Sequence, residues 1–180
     1  MEDKLLIWKL RRGSRDALRR TYDKYHSDLL KIAVVLTGGM NPAEDVVQDV
    51  FTRFAQSSGR LALSGSLRNY LITSTLNGVR NLWRHHSRHE TQSLAEADCV
   101  ASTEKRPDQW AVMSEQLEHL SAAMASLPYE QREVITLRVE ANMTLRRIAQ
   151  LQKTSISTVQ GRYRYGIEKL RSLLNGEIQE

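Results

Sequence analysis

Arginine and tyrosine alternate at Arg162-Tyr163-Arg164-Tyr165, inside the stretch STVQGRYRYGIEKLR that runs from 157 to 171. A guanidinium offers donors in a fixed fork that suits phosphate oxygens and guanine edges, and tyrosine adds an apolar ring with a hydroxyl tip. A second set of such donors, Arg80, Arg84 and Arg88, recurs every four residues, with Asn77 one turn earlier. Only Glu90 supplies a carboxylate nearby, so the stripe is poorly neutralised from within and suits a polyanion, although a solvated face could carry the same residues. Asp45, Gln48, Asp49 and Arg53 form a third polar group, fit for a partner surface or for water alone. His85 and His89, like His86 and Glu90, are four apart, a spacing that can hold zinc on a helix. No cysteine or further carboxylate lies near them in sequence, and nucleic-acid contact or exposure explains them better. Without a Gly-rich phosphate loop, nucleophile elbow or paired-carboxylate site, the chain is expected to be neither an enzyme nor a metal or cofactor carrier.

Helices must position these groups. Apolar residues recur every three or four positions, and only 3 prolines and 9 glycines interrupt 180 residues, which predicts an all-α fold. A first helix spans residues 2 to 12 and ends at Gly13. Ser14 caps a second that runs to about Thr37 and stops at Gly38-Gly39. In NPAEDVVQDVFTRFAQ, Asn41 is placed to cap a third helix with Pro42 at its first position. Its stripe of Val46, Val47, Val50, Phe51 and Phe54 faces a core and leaves Asp45, Gln48, Asp49 and Arg53 outside. Residues 57 to 66 carry turn chemistry, and Ser66 caps a long helix over 67 to 88 with Leu71, Val79 and Leu82 opposite the arginines. Trp83 in that helix reads as an interfacial or partly buried ring. Beyond it lies a polar, aperiodic linker, so the expected domains are 1–90 and 108–180 joined by 91–107.

From 108 periodicity returns: a helix to about Ser126, another after Leu127-Pro128 with Val134, Ile135 and Leu137 in its core, a short one over 144 to 151, and then the segment with the alternation. There Ile156, Val159, Tyr163, Ile167, Leu170 and Leu174 step by three or four and predict a helix rather than a strand. Thr158, Gly161, Arg162 and Tyr165 then face roughly the other way, with Gln160 and Arg164 on the flanks. A short helix, a tight turn at Lys153 to Ser155 and a longer helix make a helix-turn-helix, whose second helix enters the major groove.

Charge is divided along the chain. Residues 1 to 90 hold 15 Lys and Arg against 9 Asp and Glu, residues 91 to 127 hold 2 against 6, and residues 128 to 180 hold 9 against 6. Two basic ends flanking an acidic middle favour a polyanionic partner at the ends alone. The single cysteine, Cys99, fits a reducing compartment. The apolar stretch from Leu5 to Leu10 is short and followed by Arg11-Arg12, which is unlike a cleavable leader. A cytoplasmic protein with no membrane insertion is expected.

The segment LPYEQREVITLRVEANMTLRRIAQLQKTSISTVQGRYRYGIEKLRSLL resembles region 4 of the extracytoplasmic-function sigma factors, small bacterial transcription initiation factors with two helical domains. Independently, NPAEDVVQDVFTRF resembles their region 2.2, and SLRNYLITSTLNGVRNLWRHHSR their regions 2.3 and 2.4. The order and separation of the blocks also match. The resemblance implies that Asp45, Gln48, Asp49 and Arg53 meet the coiled-coil helices of the largest subunit of core RNA polymerase. It implies that Asn77, Arg80, Asn81, Arg84 and Arg88 touch the −10 promoter element, and that Ser64, Gly65 and Ser66 lie in the loop that holds an extruded base. At the −35 element it assigns base reading to Arg162, with Thr158, Gln160, Arg164 and Tyr165 in support and Arg146 and Arg147 on phosphate. An anti-sigma factor is the further partner it implies. The chain departs from the family in Arg146-Arg147, where acidic residues are common, and in Gln160-Gly161, where Lys-Ser is frequent. A stand-alone helix-turn-helix regulator is the competing reading.

Overall fold

A computed structural model describes residues 2–60, 66–92 and 115–176, with side chains placed at 3–59, 66–85 and 119–176. Its described elements are helical, and the chain separates into two compact units, Met1–Cys99 and Val100–Glu180.

The first unit contains α1 (Glu2–Arg11), α2 (Arg15–Thr37), α3 (Met40–Ser57), a single 3-10 turn (Ser58–Arg60) and α4 (Leu67–Gln92). Ser14 caps α2 as its sequence predicts, its Oγ accepting the Ala17 N–H at 3.3 Å, and the left-handed Gly38 ends that helix. The third helix starts earlier than Asn41 suggests. Gly39, in extended conformation, precedes Met40, so Asn41 lies inside the first turn and caps nothing. Pro42 is tolerated there because the first N–H groups of a helix have no intrahelical partner. The α3 stripe Val46, Val47, Val50, Phe51 and Phe54 is buried as expected, against Leu29, Ile32, Leu36, Leu71, Leu76 and Val79 in the same core. Helix α4 lies close to α3 at Gly78, where an added Cβ would stand 2.9 Å from Val46 Cγ1.

Polar bonds fasten the periphery of this unit. Asp3 accepts from Lys24 Nζ at 2.9 Å and from Tyr25 Oη at 2.8 Å, tying α1 to α2. Burial alone would raise the Asp3 carboxyl, but these two donors and the Lys24 charge outweigh it and hold the group below its ordinary value. Burial, followed by the adjoining carboxylate, pushes the Tyr25 phenol up to about 12. Trp83 donates from Nε1 to the Leu36 carbonyl at 3.3 Å, supplying a donor to the last turn of α2, and remains 45% exposed.

The second unit contains α5 (Glu115–Ala125), α6 (Tyr129–Val139), α7 (Leu145–Gln152) and α8 (Ile156–Leu174). Residues 108–114 of the expected first helix lie outside the described residues. The core joins Ala123, Leu127, Ile135 and Leu170, with Met124, Tyr163, Ile167 and Leu173 packed against it. The Arg132 guanidinium, depressed by burial, donates from Nη2 to Ala125 O at 3.0 Å and Leu127 O at 3.2 Å, and so supplies the C-terminus of α5 with donors. Between α7 and α8, Lys153 takes a left-handed conformation and Ser155 caps α8 by accepting the Thr158 N–H at 3.0 Å. The helix-turn-helix is thus built as its sequence predicts. Two expected core positions are corrected: Ile156 and Leu174, in the first and last turns of α8, are 43% and 47% exposed, because the buried stripe ends at Val159 and Leu173.

Candidate nucleic-acid and polymerase interfaces

On α3, Asp45, Gln48, Asp49 and Arg53 are all exposed, on the side away from the valine and phenylalanine stripe. Asp49 and Arg53 form a two-point ion pair, Oδ1 to Nε and Oδ2 to Nη2, each 3.0 Å. Their charges largely neutralise each other, leaving Asp45 and Gln48 as the α3 side chains best able to bond a partner. Beside this face an aromatic group appears that the sequence reading did not anticipate. The half-exposed Tyr22 stacks on His26 at 4.6 Å and meets Phe51, one turn from Gln48, at 4.8 Å. Its signal was present as a Tyr and His four apart on α2, but Phe51 joins it only across the helix pair.

Asp49 and Arg53 also line a groove of about 180 Å³ between α3 and α4, together with Tyr70, Ser74, Asn77 and Asn81 and an apolar base of Val50 and Phe54. Residues assigned to polymerase and residues assigned to DNA therefore border one depression. At about 100° per residue, Arg84 lies about 20° from Asn77 around α4, whereas Arg80 lies about 60° away. Accordingly Asn77, Asn81 and Arg84 are exposed and Arg80 is half-buried at the flank. Arg88 continues the line in the α4 backbone, and its side chain is outside the described residues, as are Ser64 and Gly65. Ser66 is exposed and caps α4, accepting the Asn69 N–H at 3.2 Å.

On the helix-turn-helix, Arg146 and Arg147 are exposed on α7, the latter donating to Gln150 Oε1 at 3.1 Å. Thr158, Gln160, Arg164 and Tyr165 are exposed on α8. The Arg164 guanidinium lies 4.8 Å over the Tyr165 ring and donates to its hydroxyl at 3.0 Å, making one compact basic and aromatic unit. Gly161 leaves the surface beside it low, since an added Cβ would touch only Tyr165 Cε2 at 3.9 Å. Arg162 does not share that outward face. It is half-buried, and its Nη1 donates to Gln152 Oε1 at 2.7 Å. The expectation of an opposite-facing Arg162 fails on helical phase: at about 100° per residue it sits only about 60° from the buried Val159. Gln152 itself drew no attention in the sequence, because nothing in a string marks two polar residues ten apart as partners.

His85 is exposed, and no cluster of three metal-ligating side chains occurs among the described residues. None of the described helices is long and apolar enough to cross a membrane.

Residues 21–89 match the family Sigma-70 region 2, and residues 123–172 match the family Sigma-70, region 4. The chain is 25% identical over 166 residues to the ECF RNA polymerase sigma factor SigX of Bacillus subtilis, covering 88% of this chain and 86% of that protein. It is 27% identical over 161 residues to the ECF RNA polymerase sigma factor EcfG of Rhodopseudomonas palustris, with the same shares covered. Among solved structures, the sigma factor RpoE of Bartonella quintana, crystallised with the anti-sigma factor NepR, has the same fold, with a TM-score of 0.71 at 21% identity over 90% of this chain and 98% of that one. With a region 2 face on α3 and α4 and a region 4 helix-turn-helix in the expected order, the chain belongs to the extracytoplasmic-function group of sigma-70 family factors, non-enzymatic proteins that direct RNA polymerase to promoters.

Proposed function

We propose that the first unit binds core polymerase through α3 and the −10 element through α4, while α8 reads the −35 element. The observation that carries this assignment is the exposed Arg164–Tyr165 pair beside Gly161 on a capped second helix of a helix-turn-helix. Thr158 and Gln160 complete the reading face, and Arg146 and Arg147 meet phosphate from α7. On α4, Asn77 and Asn81 approach bases and Arg80, Arg84 and Arg88 neutralise backbone, with Ser64, Gly65 and Ser66 at the extruded base. On α3, Asp45 and Gln48 lead the polymerase contact, Asp49 and Arg53 set its register, and Tyr22 adds an aromatic anchor. The domains 1–90 and 108–180 act as separate DNA readers, and the segment 91–107, with 3 acidic against 2 basic residues, has no basic surplus to hold DNA itself. A role at promoters implies the cytoplasm as its compartment.

The complex of the Bartonella quintana factor with an anti-sigma factor supports a partner of the same class here. In vitro transcription with core polymerase and a promoter library tests the whole assignment. Promoter-specific transcripts that require this chain are expected. Tight binding of the purified chain to duplex DNA as a symmetric dimer, without any polymerase requirement, would instead support a stand-alone regulator.

A further inference from the structure

Arg162 stands apart from the other polar residues of α8. Its bond to Gln152 is the first of two, because Gln152 Nε2 donates onward to Glu133 Oε2 at 2.7 Å, with a longer approach to the Glu130 carbonyl at 3.4 Å. Glu133 is 2% exposed. A guanidinium on α8, an amide at the end of α7 and a carboxylate inside α6 therefore form one chain through three helices. Each bond has an ionised member, the class that is short and roughly twice as strong as a neutral pair. In a water-poor setting each bond polarises the next. The amide fits between the charges because it accepts at one end and donates at the other.

Helix α8 has a different restraint further along. At Gly166 it lies so close to α6 that an added Cβ would stand 2.7 Å from Ile135 Cδ1. Thr158, Gln160, Gly161, Arg164 and Tyr165 all precede that contact. Over this stretch the apolar anchors are Val159, which is buried, and Tyr163, which is partly buried against the core, and the polar one is Arg162. Apolar packing is non-directional and tolerates small rotations about the helix axis, and a directional polar bond on the flank resists them.

We propose that the Glu133–Gln152–Arg162 chain sets the rotation of the recognition helix, so that Arg162 is a positioning residue that aims Gln160, Arg164 and Tyr165 at the bases without reading one itself. This rests on the assignment of α8 to the −35 element. The chain also explains why a half-buried arginine occurs in the middle of a DNA-reading surface: its charge is matched from within by Glu133.

Holoenzyme assembled with core polymerase, measured against promoters carrying every single substitution in the −35 element and a constant −10 element, provides the test. Gln152→Glu sets a carboxylate against Glu133 and should weaken promoter binding about tenfold across the panel. Joining it to Glu133→Gln restores a donor facing an acceptor, and the double variant should recover to within about threefold with the original base ranking. Arg162→Ala should lower affinity for all promoters alike, with the ranking intact and with core binding and helical circular dichroism unchanged at the assay temperature. Loss of preference at one base pair in Arg162→Ala, or a folded double variant that stays weak, overturns the proposal. Arg164→Ala and Tyr165→Ala are the controls for the reading it rests on. If neither alters the ranking, the assignment of α8 to the −35 element fails and the proposal with it, whereas an altered ranking in these two alongside a weak double variant refutes the positioning role alone.

Discussion

Tyr163 and Tyr165 are two residues apart and have opposite surroundings. Tyr163 packs against the Ala123, Leu127, Ile135 and Leu170 cluster, whereas Tyr165 is 55% exposed beneath Arg164. Truncating Tyr163 to alanine should lower stability by about 2 kcal/mol, less than for a fully buried ring. Tyr165→Ala should stay within about 0.5 kcal/mol of the parent, as surface changes do. Urea denaturation of the two variants checks this, and equal losses would contradict the assigned burial. A second residue-scale expectation concerns pH. The Tyr25 phenol is pushed up to about 12 by burial and by Asp3. A phenol whose folded value is raised contributes stability fully present below its unfolded value of about 10, and that contribution is lost as pH climbs toward 12. Tyr25→Phe should therefore flatten the alkaline fall in stability between these values, read from thermal melts across that range. Asp3 has the reverse sign: its depressed carboxyl supports the fold above its unfolded value and releases α1 as the pH falls below it.

At the scale of elements, close helix contacts do what side-chain periodicity cannot announce. Gly78→Ala would gain about 1 kcal/mol of helix propensity, yet the new methyl meets Val46 Cγ1 at 2.9 Å. Val46 is β-branched and buried, so it has little freedom to turn away. The net effect should be a loss of about 1–2 kcal/mol. Val46→Ala combined with Gly78→Ala should be more stable than the two single losses predict, which a double-mutant cycle on melting data measures. The surface of α3 behaves differently. Gln48→Ala with Asp49→Ala removes one exposed amide and one exposed carboxylate, so core-polymerase affinity should fall while the melting curve barely moves. An unchanged affinity would remove α3 from the polymerase interface.

At the scale of the molecule, the arrangement of charge and periodicity was legible in advance. The eight α-helices among the described residues, the start of α2 at Ser14, the buried stripe of α3 and the start of α8 at Ser155 follow from local chemistry: capping hydroxyls and a helical repeat of apolar residues. The family was legible for the same reason, since its motifs are runs of neighbours in sequence. Local signals were weaker at the ends of elements, where Asn41 resembled a cap but Gly39 already supplied the extended residue before the first turn. What a string does not contain is which flank of a helix another helix will cover. Only tertiary packing gave Arg162, already beside the buried stripe by helical phase, a partner in Gln152 and through it Glu133, brought Asn77 and Asn81 to the same groove as Asp49 and Arg53, and laid Tyr22 against Phe51. Each of these contacts joins residues on different helices, and their partners are chosen by how those helices pack against each other rather than by spacing along the chain.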